Sequence, residues 1–142
     1  MIAEHAMRAQ LRSGDDITVS SAGTQANPME MYEVVRHRLI ARGIDPSEHV
    51  QRKLTQEILD QADLPVAMSL DHQTFVRETF GREIPLFNLV CFGREEPLLD
   101  LGEALPNWQA ETDAADQYAR QMVDTIWEAI PNLKKRAELF IG

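Results

Sequence analysis

The stretch Ile17-Thr18-Val19-Ser20-Ser21-Ala22-Gly23-Thr24 decides the predicted fold. Its first five residues are rich in β-branched side chains and predict a strand, which Ala22-Gly23-Thr24 ends. Residues 2–12 before it predict a helix that ends at Gly14 and the Asp15-Asp16 pair. The apolar side chains that share one face of this helix are Ala3, Ala6, Met7 and Leu11.

Helices and strands alternate in the rest of the chain. Further helices are predicted over 30–42 with Gly43 as a left-handed cap, 55–62 with Thr55 as N-cap, 71–80 with Asp71 as N-cap, and 113–130 before Pro131. Strands are predicted over 64–68 and 84–90, each with an early proline. This order predicts a single α/β domain over 1–142, with a short parallel sheet flanked by helices in three layers. Such folds usually open with a strand, whereas this chain opens in a helix.

Composition sets limits on location and partners. The chain has 142 residues, 44% hydrophobic and 26% charged, which is ordinary for one globular domain. Its N-terminus lacks an apolar signal core, no apolar run approaches the roughly 20 residues of a membrane span, and one cysteine favours a reducing cytoplasm. The net charge of -9 argues against nucleic acid and anionic membranes as partners.

Two groups of residues are interpreted as structural. The basic cluster Lys134-Lys135-Arg136 lies near a helix C-terminus, where positive charge complements the helix dipole, and is interpreted as a solvated face. Three histidines fall on predicted helices without other ligands at metal spacing, so no metal site is expected. They are His5, His37 and His72, of which the last two are expected at the surface.

Several segments resemble the low-molecular-weight protein tyrosine phosphatase and arsenate reductase superfamily. Residues 20–24 are similar to the family's Asp-Ser-Ala-Gly-Thr, and Ile2-Ala3-Glu4-His5-Ala6 is similar to the Met-Ala-Glu-Ala that opens its first helix. Further matches follow in the same order, covering about residues 2 to 130. They are Ala41-Arg42-Gly43-Ile44-Asp45, His49, Lys53-Leu54-Thr55, Ala62-Asp63-Leu64 and Met68.

The resemblance implies a four-stranded parallel sheet whose first strand runs into a Cys-x5-Arg-Ser loop. In such a loop, backbone N–H groups and a guanidinium bind phosphate, and a thiolate attacks phosphorus. In the family pattern the strand and loop precede Met1, so we expect this chain to be N-terminally truncated relative to the family and to lack both. Cys91 is no substitute, because it lies at a predicted strand end with Arg94 only three residues on; a buried structural thiol is expected.

The resemblance also assigns roles to other residues. The family's general acid maps to Asn107 in Leu105-Pro106-Asn107-Trp108, and an amide cannot supply a proton at neutral pH. Ser21 is expected to hydrogen-bond the loop, Trp108 to wall a substrate-binding pocket or to anchor its own loop, and His49 to make a structural hydrogen bond. Three acidic residues near position 107 remain open as substitutes: Asp100, Glu103 and Glu111.

Three hypotheses of function follow. The first is a catalytically inactive family member that binds a phosphoprotein or another protein. The second is an active tyrosine phosphatase or arsenate reductase with a further N-terminal segment that carries the nucleophilic cysteine. The third is a non-catalytic interaction or oligomerisation module, for which a homodimer is the simplest form. No cofactor is expected.

Overall fold

The computed structural model describes residues 2–24, 32–47, 49, 51–99 and 101–141. Within these ranges the chain is helical with long irregular connections, and a 3-10 turn over Ala137–Leu139 follows the last helix. The helices are α1 (Ile2–Gln10), α2 (Glu33–Ala41), α3 (Gln56–Gln61), α4 (Leu70–Phe80), α5 (Phe87–Phe92), α6 (Leu101–Ala104) and α7 (Thr112–Arg136).

Helix α7 organises most of the core, because its buried side chains recur at helical spacing and face α1, α2 and α5. Its C-terminal half contributes Ile126 and Ile130 to a cluster that also contains Met7 and Phe87. Its N-terminal half contributes Ala119 and Val123 to a second cluster, with Val35, Leu39 and Ile44. A third cluster lies under α3 and α4 and contains Leu59, Ala67, Val76, Ile84 and Leu86.

The prediction that the last helix ends before Pro131 is wrong, because α7 continues through this proline to Arg136. Proline lacks an N–H, so the Trp127 carbonyl one turn earlier loses its usual helical donor. The Gln10 side chain replaces that donor, since its Nε2 lies 2.9 Å from the Trp127 oxygen. Helix α1 therefore supplies the hydrogen bond that the proline removes from α7.

Only Lys135 of the basic cluster at the end of α7 is exposed, so the interpretation as a solvated face is wrong for Lys134 and Arg136. Lys134 donates to Asp15 Oδ2 at 2.6 Å, and its Nζ lies 3.4 Å from the Gln10 carbonyl at the end of α1. Arg136 donates from Nε to the Val90 carbonyl in α5 at 2.7 Å. Both side chains join α7 to neighbouring helices, in addition to complementing its dipole.

The predicted sheet is reduced to two isolated parallel bridges in the described part of the chain, Gly23 with Lys53 and Ala67 with Leu86. Residues 17–20 and 64–66 form no strand, because no described backbone segment pairs with them. A β-ladder forms only where a second strand lies about 4.8 Å away, however high the β propensity of the sequence. The predicted strand over 64–68 is therefore reduced to the bridge of Ala67 with Leu86, and the predicted strand over 17–21 forms no ladder with the described residues.

The predicted strand over 84–90 is also wrong beyond Leu86, because α5 begins at Phe87. A short apolar run does not distinguish a buried strand from a buried helix by periodicity. Gly93 ends α5 with a φ of 71°, a left-handed conformation that favours glycine. Cys91 consequently lies within a helix and not at a strand end.

The caps agree with the sequence in part. Thr55 is the N-cap of α3 and accepts from Ile58 N, as predicted. For α4 the N-cap is Ser69, which accepts from His72 N, and Asp71 lies in the first turn instead. Gly43 follows α2 with a φ of 78°, as predicted. Helix α1 ends two residues early at Gln10, and α2 spans Glu33–Ala41, with positions 30 and 31 outside the described residues.

Candidate functional site

The first turns of α1 carry a buried carboxylate, Glu4, which is 8% exposed. Ser21 donates from Oγ to Glu4 Oε1 at 2.8 Å, and Arg8 forms an ion pair with Glu4 Oε2 at 3.4 Å. Burial opposes ionisation of Glu4, but the hydrogen bond from Ser21 and the charges of Arg8 and His49 outweigh it and lower its pKa. Ser21 thus ties residues 17–21 to the start of α1.

Two histidines meet beside this carboxylate. The His5 and His49 rings pack edge to face with centroids 5.1 Å apart, and His49 Nδ1 lies 3.8 Å from Glu4 Oε2. His49 therefore contacts Glu4 at ion-pair distance, beyond the range of the structural hydrogen bond that the sequence predicts.

His5 is buried without a full set of partners. It is 7% exposed, and its Nε2 is a buried atom with no hydrogen-bond partner in the described structure. Burial, followed by the neighbouring His49, lowers the His5 pKa, so this imidazole is neutral at pH 7. An unsatisfied buried polar atom typically costs about 1–3 kcal/mol, which makes His5 unusual in this core.

A cavity of about 630 Å³ adjoins these residues, in the size range of small-molecule sites. We call it the α1 cavity. Its walls come from α1, from the segment that contains Ser20, and from residues 43–45, 49 and 52, which are far apart in sequence. Its polar lining consists of Glu4, His5, Arg8, Ser20, Asp45, His49 and Arg52.

Cys91 is buried in α5, as the sequence predicts, and is 1% exposed. Burial raises the pKa of its thiol to about 12, although the Arg136 charge acts in the opposite direction. A thiol with this pKa has almost no thiolate at neutral pH, and the thiolate is the nucleophilic form.

Asn107 and Trp108 lie elsewhere, in a turn between α6 and α7. The Asn107 carbonyl accepts from Ala110 N and Glu111 N, which fixes the turn, and the residue is exposed. The Trp108 ring packs edge to face on Tyr32 with centroids 5.7 Å apart. Neither Asn107 nor Trp108 is among the described residues that line the α1 cavity.

The other candidate acids are dispersed. Glu103 lies on α6, Glu111 is the N-cap of α7, and Asp100 lies outside the described residues. Of the remaining histidines, His37 is exposed on α2 as expected, whereas His72 is half-buried on α4. The described residues contain no group of three or more metal-ligating side chains, and none of their helices is long and apolar enough to cross a membrane.

Sequence reasoning missed the α1 cavity and the burial of His5. The resemblance to the family singled out Glu4, Ser21 and His49 separately. It did not indicate that Ser21 and His49 both contact Glu4. One signal in the sequence could have indicated that His5 is unusual. His5 directly follows Glu4, at a position where the matching family segment has a small alanine.

Comparison with known proteins supports one family. The family model for low molecular weight phosphotyrosine protein phosphatase matches residues 1–92. A crystal structure of a YwlE mutant from Bacillus subtilis aligns with 96% of this chain and 88% of its own, at 24% identity and a TM-score of 0.78. The YwlE arginine phosphatase, as a cysteine-to-serine mutant with a phosphorylated active site serine, aligns with 96% of this chain and 86% of its own, with the same identity and TM-score. No curated protein matches the chain.

Proposed function

Because the chain belongs to the low molecular weight phosphotyrosine protein phosphatase family, we propose that these 142 residues form a non-hydrolysing member that acts by binding a phosphoprotein or another protein. The observation that carries the proposal is Cys91. It is the only cysteine of the sequence, it is buried in α5, and its pKa is raised to about 12. A thiol in that state cannot attack phosphorus, so the covalent route has no nucleophile in this polypeptide.

Asn107 supports the same proposal independently. The resemblance places the general acid there, and an amide can donate a hydrogen bond but cannot release a proton to a leaving phenolate. General acid catalysis typically contributes about 10²–10⁴-fold, so its loss impairs even a chain with a nucleophile.

The test is hydrolysis of para-nitrophenyl phosphate, phosphotyrosine and phosphoarginine by the pure protein from acid to neutral pH. We expect no turnover above a buffer blank, and the Cys91→Ala variant should give the same result. Turnover that follows the protein through purification would refute the proposal. Turnover that Cys91→Ala then abolished would also show that the buried thiol is the nucleophile.

A second candidate function is an active tyrosine phosphatase or arsenate reductase that has a Cys-x5-Arg loop ahead of residue 1. The hydrogen bond between Ser21 and Glu4 favours it, because it holds Ser21 beside the first turns of α1, where the resemblance places that loop. In an extended chain with this loop, Asn107→Asp should raise the rate on phosphotyrosine far more than on para-nitrophenyl phosphate, whose leaving group needs little protonation. Equal gains on both substrates would show that position 107 is not the acid position.

A third candidate is a plain interaction or oligomerisation module, with a homodimer as its simplest form. The backbone of residues 17–20 favours it, since no described backbone segment pairs with these residues and open edges are templates for pairing. For all three candidates we propose a cytoplasmic location, which the single buried thiol supports, and neither nucleic acid nor membrane as a partner, which the net charge of -9 supports.

A further inference from the structure

We propose that the α1 cavity binds a small carboxylic acid. The first support is that the cavity borders on a buried polar atom without a partner. His5 is more than nine-tenths buried and lines the cavity, and its Nε2 has no hydrogen-bond partner in the described structure. A bound oxygen acceptor would satisfy it, because a neutral imidazole carries one N–H and can place it on either nitrogen.

The second support is a pair of guanidinium groups held at the same cavity. Arg8 donates to the Val19 carbonyl at 3.0 Å, and Arg52 donates to the Ser21 carbonyl at 3.3 Å. These carbonyls are two residues apart, so they lie within about 7 Å of each other. Ser20 lies between them in sequence and also lines the cavity. Each guanidinium has five N–H donors, so both keep donors for a ligand.

The balance of charge selects the class of ligand. Arg8 is partly neutralised by Glu4, whereas Arg52 donates to the Ser21 carbonyl, and no carboxylate of the described residues lies within ion-pair distance of Arg52. Among the described lining residues the carboxylates are those of Glu4 and Asp45, and Arg52 is the guanidinium that neither of them neutralises. A singly charged carboxylate fits this balance better than a phosphate dianion, and its planar oxygens match guanidinium donors in a bidentate geometry.

The test uses benzoate as the probe and benzamide as its uncharged counterpart, at constant ionic strength, with binding followed by NMR of backbone amides and histidine side chains. We expect saturable shifts for benzoate at Arg8, Ser20, Arg52 and the His5 ring, and at least about tenfold weaker binding of benzamide, because hydrogen bonds to a charged group are the stronger kind. Arg52→Gln should weaken benzoate binding about tenfold. The control Arg77→Gln, on α4 and outside the cavity, should leave it unchanged.

His5→Phe provides a second variant, since it keeps a ring in the core and removes the unpartnered nitrogen. It should fold and bind benzoate more weakly than the unmodified protein. Absence of saturable shifts, equal binding of benzamide, tighter binding of inorganic phosphate than of benzoate, or full binding by Arg52→Gln would each overturn the proposal. None of these results depends on hydrolysis, so this proposal and the proposed lack of turnover can fail separately.

Discussion

His5 places a titratable ring inside the protein at a point where protonation is unfavourable. Because its pKa in the folded protein is lowered from 6.5, the unfolded chain binds more protons than the folded one at mildly acid pH. The free energy of unfolding should therefore fall as the pH falls through and below about 6.5. Glu4, whose pKa is lowered from 4.5, should cause a second loss at more acid pH.

We expect His5→Phe to flatten the first of these two phases and to leave the second. Urea denaturation at a series of pH values measures both. The control is His37→Gln, which changes an exposed histidine on α2 and should keep the profile of the unmodified protein. A profile for His5→Phe identical to that of the unmodified protein would contradict the assigned role of His5.

Ser21 and Ser20 form a matched pair for a second prediction. Ser21→Ala removes the hydroxyl that donates to the buried Glu4 and should lower stability by about 1.5–3 kcal/mol, the range for a hydrogen bond to a charged group. Ser20→Ala changes an exposed neighbour and should stay within about 0.5 kcal/mol. Thermal unfolding of the two variants, measured side by side, tests this prediction. Equal losses of stability in Ser21→Ala and Ser20→Ala would argue against the Ser21–Glu4 hydrogen bond.

Individual residues were predictable where a local pattern or a family position fixes their environment. Thr55 as a cap, Gly43 in a left-handed conformation and Cys91 as a buried thiol are of this kind. The burial of His5 was not predictable from the sequence alone, because its ring partner His49 belongs to a segment far along the chain that the fold brings to α1.

At the scale of elements, the contact of α1 with the proline of α7 makes a third prediction. Gln10→Ala leaves the Trp127 carbonyl without its donor and should cost about 1 kcal/mol. In a Pro131→Ala background residue 131 regains an N–H that can reach this carbonyl, so Gln10→Ala should cost clearly less there. Pro131→Ala alone should stabilise α7, by up to about 3 kcal/mol.

A double-mutant cycle by chemical denaturation measures the coupling between positions 10 and 131. Additive effects of the two substitutions would show that Gln10 does not compensate for the proline. Gln61→Ala, an exposed glutamine at the end of α3, is the control for loss of an amide side chain and should show no coupling with position 131.

Helices were the more predictable elements because their signals are internal: spacing, caps and glycine ends lie within each segment. Strands were not, since Ile17 to Ser21 has β propensity but no paired neighbour in the described part of the chain. The end of α7 was predicted too early because a proline usually breaks a helix, and the compensating Gln10 lies 121 positions away.

For the whole molecule, residues 17–20 lead to a fourth prediction, because no backbone segment pairs with them in the described part of the chain. Exposed edges recruit further strands, so we expect the protein to associate as a dimer or a larger species. Thr18→Pro removes an edge N–H and should shift the protein towards a monomer, whereas Thr18→Val retains the N–H and should not. Size-exclusion chromatography with light scattering measures the state.

A monodisperse monomer at every concentration, with a strong near-ultraviolet signal from Trp108 and Trp127 and a sharp melting transition, would contradict this prediction. It would show that the protein has a defined tertiary structure without a second chain pairing with residues 17–20.

The separation of the third core cluster from α7 has a consequence for how the protein opens. Helices α3 and α4 pack around Leu59 and Val76, whereas the main contacts of α7 are with α1, α2, α5 and α6. The two parts join where Leu86 belongs to one cluster and Phe87 to the other. Amide protons of α3 and α4 should therefore exchange with deuterium through a partial opening of low free energy. Amide protons of α7 should exchange only through global unfolding, which has a higher free energy. Subdenaturing urea should reveal two separate exchange isotherms that merge only near the midpoint of denaturation.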